Sequence, residues 1–317
     1  MSYQLIISRN FNNTPEEIFN FHRYFFIEIE HLQHQRGENH CYSFYWKSVD
    51  NQSIDGRFSV IIQDKTAYSP WRATFGGIEF NENIAEENLH EFLNQILIFL
   101  HSLKIEKIEI NSYPERYLNE YQSKILQNCL FKLHFQVKFT ELNYEIIITE
   151  ESFYETVKSS TARQLLRTYI KKGYSFQQEL NPDLKVIHEF IAHSRERKNR
   201  PVTMSLEQLK EHFEKFPDNF KLFSVTHSEK IVAVGVTIKI NQEILYTFYL
   251  ADDENYLKDS PTTFLLSGIY EYGKQNSYTL LDFGIATDKG VLNEGLSKFK
   301  QSLGARMSEK KSYILLL

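Results

Sequence analysis

Apolar positions recur at helical spacing in some stretches of this chain and fall in short continuous or alternating runs in others, and the two kinds of stretch take turns. CYSFYWKSV and GRFSVIIQ read as strands around the turn-rich VDNQSIDG, which predicts a hairpin. Leu89, Phe92, Leu93, Ile96 and Leu100 share one face of a helix over 85–103. The strand KIEKIEINS follows, a helix resumes beyond Pro114 through Asn128, and LHFQVKFTELNYEIII closes this half as β structure. Nearer the start, Thr14-Pro15-Glu16-Glu17 has the chemistry of a helix cap and first turn, which predicts a helix through the aromatic stretch IFNFHRYFFIEIEHL.

The pattern changes near Thr149, where TEESFYETVKSSTARQLLRTYIKKGYSF predicts a long helix followed by a strand. A domain boundary is placed here, giving 1–149 and 150–317, although no Pro- or Gly-rich linker marks it. Asn181-Pro182-Asp183 starts a helix that breaks at Pro201, and Ser205 opens a shorter one with Glu207 and Gln208 in its first turn. NFKLFSVTHS, KIVAVGVTIKI and EILYTFYLAD then read as an antiparallel meander. Ser260-Pro261-Thr262-Thr263 opens a helix to about Gln275. The chain closes with an apolar run into Asp282-Phe283-Gly284, a helix over 292–303, and a strand after Gly304-Ala305. Such alternation argues α/β or α+β layers. No short repeat links the two halves.

Composition narrows the class. At 317 residues there is room for two ordinary domains, and 42% hydrophobic with 24% charged residues is the balance of a globular protein. No apolar run approaches the roughly 18 residues of a membrane span. The start lacks a basic segment followed by an apolar one, so the expected location is the cytoplasm. Cys41 and Cys129 stand alone, and His22, His31, His34 and His40 form no ligand motif, so neither a disulfide nor a metal is predicted. The net charge of -5 argues against a protein that binds nucleic acid chiefly by overall charge, and DNA is not an expected partner. Residues 1–150 hold 13 basic and 20 acidic side chains and the remainder 23 and 21, so a polyanion would prefer the second half.

Four stretches carry candidate chemistry. Arg195, Arg197, Lys198 and Arg200 form the densest positive cluster, either a phosphate clamp for CoA, tRNA or a nucleotide-linked acceptor, or a solvated helix end complementing the dipole. Gly76-Gly77, flanked by Trp71, Arg72 and Phe75, suits a tight turn or a close approach of backbone to ligand. Asp282 ends a buried strand, where a carboxylate needs partners, and serves either as a base or to hold Lys300 or a turn. Lys300 lies on a different helix face from Lys298, on the side expected to be partly buried.

Counted from Asn293, the apolar Leu296, the pair Phe299-Lys300 and then Gly304-Ala305 follow at a spacing that resembles the last helix of the GNAT acyltransferase superfamily, with Lys300 in place of its tyrosine. Phe299-Lys300 looks like the FK signature of the FemABX branch, tandem-GNAT proteins that include aminoacyl-tRNA-dependent peptidyltransferases. Ser69-Pro70 with Gly76-Gly77 is similar to a segment of the first domain of FemAB-like proteins. The resemblance is strongest over 205–317. It implies two tandem GNAT-like domains, each a mixed, mostly antiparallel sheet flanked by helices, and an N-acyltransferase that acts on an amine. It assigns the Phe299-Lys300 pair to catalysis, and Asp282 joins them as the candidate base read from its place at the end of the buried strand. Tyr249, Leu250, Ser260, Thr262, Thr263 and Asn293 go to the acyl donor, and Trp71, Arg72, Gly76 and Gly77 to a small-molecule or cell-wall-precursor amine acceptor. DENYLKDSPTTF departs from the usual Q/R-x-x-G-x-G/A loop in having no glycine. The favoured donor is acyl-CoA. Charged tRNA and a non-catalytic GNAT pair stay open.

Overall fold

The computed structural model describes residues 2–317. In chain order the first elements are β1 (Tyr3–Arg9), β2 (Ile18–Phe19), α1 (Ile29–Arg36), β3 (His40–Ser48), β4 (Ser53–Gln63), β5 (Thr66–Ser69), β6 (Ile78–Phe80), α2 (Glu86–Ser102), β7 (Lys107–Asn111), α3 (Glu120–Lys132) and β8 (Gln136–Ile147). There follow α4 (Phe153–Thr156), α5 (Ser160–Thr168), β9 (Tyr174–Glu179), α6 (Leu184–Arg197), α7 (Leu206–Lys215), β10 (Phe220–His227), β11 (Lys230–Lys239), β12 (Ile244–Asp252), α8 (Pro261–Gln275) and β13 (Leu280–Ile285). The last are β14 (Thr287–Asp288), β15 (Val291–Leu292), α9 (Glu294–Ser302) and β16 (Arg306–Leu316).

The chain divides into two units. The first comprises the chain up to Leu142, Thr287–Val291 and Ser308–Leu317; the second comprises Asn143–Ala286 and Leu292–Met307. In the first, the sheet runs β1-β3-β4-β5-β7-β16, with β2 and β6 pairing β4. The α2 face foreseen from its spacing, Leu89 through Leu100, is buried against Phe44, Trp46, Val60 and Ile108 of that sheet. Each such side chain contributes about 1.5–3 kcal/mol on burial. Asn119 and Gln122 form a reciprocal capping box that starts α3.

The helix predicted through the aromatic stretch does not form. Tyr24, Phe25, Phe26 and Ile27 are all buried, and four consecutive buried positions cannot share one face of a 3.6-residue helix. The chain instead runs as β2, a single 3-10 turn over Phe25–Ile27, and the short α1. The Tyr24 amide donates to Glu79 at 2.7 Å, and Glu79 in turn pairs with the buried Arg57 at 2.5 Å.

In the second unit the sheet runs β8-β13-β12-β11-β10-β9. The single long helix predicted after Thr149 is broken into α4 and α5 at Val157. The Lys158 and Ser159 amides both donate to the Ser302 carbonyl at 2.9 Å, and the Thr156 carbonyl lies 2.0 Å from where a Cβ on Gly304 would be. Backbone so closely applied to the end of α9 cannot continue as a helix.

Absent from the sequence, a repeat is present in the topology. Each unit lays down four strands paired antiparallel in succession (β1, β3, β4, β5; β9, β10, β11, β12). The chain then crosses through a helix (α2; α8) to a strand parallel to the fourth (β7; β13) and enters another helix (α3; α9). The sixth strand of each sheet is antiparallel to its neighbour: β16 beside β7 and β8 beside β13.

Candidate active site

β12 and β13 are hydrogen-bonded in parallel only where Ile244–Tyr246 face Leu280–Asp282, yet β12 runs on to Asp252 and β13 to Ile285. The two strands therefore fork. Backbone groups on the inner edges beyond the fork have lost their ladder partners and must find others. Thr247 Oγ1 donates to the Asp282 carbonyl at 3.1 Å and braces the point of divergence. Phe248 is bulged out between the Thr247 and Tyr249 pairings with β11.

Lys300 serves the β13 side of the fork. Its Nζ donates to the Gly284 and Ile285 carbonyls, each at 2.8 Å, and lies 5.7 Å from the centre of the Tyr144 ring. It is only 4% exposed, whereas Lys298 is exposed and pairs with Glu294 at 2.9 Å. Burial pulls the Lys300 ammonium down to about 7, the Asp282 carboxylate opposes the shift, and Arg200 adds to it. Two backbone acceptors leave one of the three ammonium hydrogens for a further partner.

The surrounding residues hold this arrangement. Asp282 Oδ1 accepts from the Gly284 amide at 2.6 Å and from Asn143 Nδ2 at 2.9 Å, so the carboxylate folds the turn whose carbonyls face Lys300. Gly284 takes φ +72°, and a Cβ there would lie 3.3 Å from the Tyr246 ring. Asn293 Oδ1 caps α9 by accepting from the Leu296 amide at 2.9 Å. Phe299 is half-buried. The Tyr144 hydroxyl bonds Ser297 at 2.7 Å and Gln301 at 3.4 Å, tying the ring beside Lys300 to α9. Tyr144, Thr247 and Gly284 were given no role from the sequence, because nothing in strand alternation marks which residues will brace the fork or meet a lysine 16 to 156 positions away.

At the start of α8 the groups are arranged differently from a pyrophosphate cradle. Ser260 is left-handed at φ +49° and makes no backbone cap; its hydroxyl meets Thr263 Oγ1 at 3.0 Å. Pro261 has no N–H, and the Thr263 amide is already bonded to the Ser260 carbonyl at 2.8 Å. Two carboxylates flank the turn. Asp252 Oδ2 accepts from Thr262 at 3.2 Å, and Asp259 is held by Lys172 at 2.6 Å and Tyr174 at 2.7 Å. Burial works against the Asp252 carboxylate, but Lys198 and Arg197 outweigh it and keep it below the usual range. Residues so placed do not suit the pyrophosphate of an acyl-CoA.

Two of the four cations, Arg197 and Lys198, thus share the single Asp252 carboxylate, which offsets one of their two charges. Arg195 donates to the Pro201 carbonyl at 2.6 Å and lies 5.3 Å from the centre of the Tyr249 ring. The Tyr249 hydroxyl accepts from the Thr203 and Met204 amides at 3.1 and 3.0 Å, so it pins that loop. Leu250 pairs with Gly235 within the sheet.

The corresponding fork of the first unit, between β5 and β7, is closed by its own chain. Gly76 bridges to Ser112, its amide donating to the Asn111 carbonyl at 2.9 Å, and the Gly77 amide donates to Ser69 Oγ at 3.1 Å. A Cβ on Gly76 would sit 2.5 Å from Ser69 Oγ and 2.6 Å from its carbonyl carbon, so only glycine fits. Trp71 packs on Tyr68 with its Nε1 buried and unpartnered among the described residues, and Arg72 lies 5.9 Å from the Trp71 ring centre. Among the described residues no group of three His, Cys, Asp or Glu side chains could hold a metal ion. No helix among the described residues is long and apolar enough to cross a membrane.

No family model and no curated protein matches the sequence. Solved structures do match. FemX superposes with a TM-score of 0.67 over 87% of each chain at 14% identity. L-PGS from Bacillus licheniformis gives 0.54 over 86% of this chain and 83% of that one, at 12% identity. A tandem GNAT protein from the clavulanic acid biosynthesis pathway gives 0.51 over 87% and 82%, at 10% identity. The chain therefore has a FemX-like, GNAT-like fold, as its last helix suggested.

Proposed function

We propose that this chain is a transferase that moves an acyl group from an aminoacyl ester to an amine acceptor, with the fork between β12 and β13 as its reaction centre. What carries the reading is Lys300, a nearly fully buried cation held by the two carbonyls at the mouth of the fork. The acceptor nitrogen attacks the ester carbonyl, the C–N bond forms, the C–O bond breaks, and the proton lost from nitrogen ends on the departing alkoxide. Lys300 faces the negative charge that builds on oxygen, where a prepositioned cation is most effective in a site shielded from water. Asp282, through Gly284, sets where that cation stands. Trp71 and Arg72 are the proposed acceptor contacts of the first unit, and 1–149 and 150–317 the proposed copies of one ancestral repeat.

The two carboxylates at the start of α8, with no N–H on Pro261 and the Thr263 amide already bonded, favour an ester carried on tRNA over the acyl-CoA donor expected from the sequence. Thermal unfolding with millimolar CoA or acetyl-CoA and transfer assays with charged tRNA separate the two. A ligand at about a hundred times its Kd adds roughly 2.7 kcal/mol, a shift of a few degrees. No shift with CoA and turnover with charged tRNA is the expected result; a clear shift with acetyl-CoA and turnover of it overturns the tRNA donor.

A further inference from the structure

Between Glu155 and Glu179 the chain has no acidic residue and five cations, Lys158, Arg163, Arg167, Lys171 and Lys172, in a protein of net charge -5. Lys172 is committed to Asp259. The other four are exposed and make no ion pair among the described residues, and Arg167 lies 5.0 Å from the centre of the Tyr154 ring. Arg163, Arg167 and Lys171 stand four apart along α5 and its last turn, so they line one face at about 6 Å intervals. This segment is also tied to the start of α8: Tyr169 Oη donates to the Asp259 and Ser260 carbonyls at 2.5 and 2.7 Å, and its ring stacks on Phe264 at 4.8 Å. Unpaired cations thus stand next to the turn whose own groups do not suit phosphate.

We propose that the exposed face of α5 docks the phosphodiester backbone of the RNA that carries the acyl ester, an inference that rests on the aminoacyl-ester reading above. A row of unscreened cations without an interleaved acid is complementary to a regular polyanion and would read its backbone, not its sequence. An anionic membrane is the poorer fit. Lying on lipid needs a continuous apolar face, but Ala162 is buried, Leu165 and Leu166 are half-buried, and Ile170 alone is largely exposed, at 78%.

The test is fluorescence anisotropy with an uncharged, labelled acceptor-stem minihelix across about 50–200 mM KCl, comparing the full chain with Arg163→Gln/Arg167→Gln/Lys171→Gln. The triple variant should weaken binding at least about tenfold, for this and for an unrelated hairpin alike, and flatten the slope of log K against log salt by roughly 2 to 3. Arg163→Lys/Arg167→Lys should bind within about twofold of the original, since the charges remain. Should the triple variant fail to fold, Arg167→Gln alone should flatten the slope by about one. Unchanged affinity and slope in a folded variant overturn the proposal. So does an original chain that binds phosphatidylglycerol vesicles but no minihelix, which would give the surface to lipid. Because the RNA is uncharged, these results are independent of the chemistry, which fails separately if Lys300→Met keeps its turnover.

Discussion

Replacing Lys300 by Met tests the burial of the cation and its role together. In the unfolded chain a lysine titrates near 10.5, and in the native fork Lys300 titrates near 7. Between those values the unfolded chain binds more protons, so the native state gains stability as pH rises and loses it as pH falls toward 7. Below 7 the loss is complete and flat. The full shift corresponds to about 4–5 kcal/mol, of which about 2 kcal/mol is recovered between pH 7 and pH 9. Lys300→Met removes this dependence, while the two carbonyls it leaves unpaired cost about 1–3 kcal/mol each at every pH. The stability difference between the two proteins should therefore move by about 2 kcal/mol in favour of the original from pH 7 to pH 9, whatever its absolute value. Urea unfolding followed by far-UV circular dichroism reads this, because both tryptophans, Trp46 and Trp71, lie in the first unit. Turnover of the variant should fall by about 10²–10³ with the fold retained. A stability difference that is constant over this range would refute the depressed proton affinity, and undiminished turnover would remove Lys300 from the mechanism.

Three further outcomes follow from the same geometry. Asp282→Asn removes the carboxylate that supports the ammonium, so the alkaline limb of the pH–rate profile should move to lower pH; a limb that stays put would show that Asp282 does not act on Lys300. Tyr144→Leu, which removes the ring beside Nζ, should move the limb the same way, whereas Tyr144→Phe should leave it and cost about 1 kcal/mol in unfolding experiments through the lost hydroxyl bond to Ser297. Gly76→Ala forces a Cβ into backbone and should destabilise the first unit by about 1–3 kcal/mol or more, seen as a lower urea midpoint by tryptophan fluorescence; an unchanged midpoint would show that the closed fork can open.

Where local chemistry decides the structure, the sequence was readable. The α2 face, the β3–β4 hairpin and the meander of β10 to β12 follow from period and turn residues over stretches of ten to twenty positions. The aromatic stretch misled because buried neighbours at 24–27 satisfy a helical count without satisfying a helical face. Residue type alone does not mark the fork, since parallel pairing that stops after three residues leaves no trace in it; the GNAT resemblance, which implies a last meander strand that splays over Tyr246 to Leu250, is what points there. Lys300 could be placed by its spacing from Asn293, but its partners Gly284, Ile285 and Tyr144 come from distant elements whose register only the folded sheet sets.

The position of β16 bears on how this protein is made. In the first unit the sixth strand is formed by Ser308–Leu317, far along the chain from the β7 it pairs. On the ribosome, β7 must therefore wait with a bare edge through the synthesis of some two hundred residues. Bare edges recruit other strands, and the long loop that must close before β16 arrives makes the wait entropically costly. Nascent chains stalled before Ser308 should be prone to aggregation and to chaperone capture, and a chain break within Ser308–Leu317 would leave that edge of β7 in the first unit unpaired.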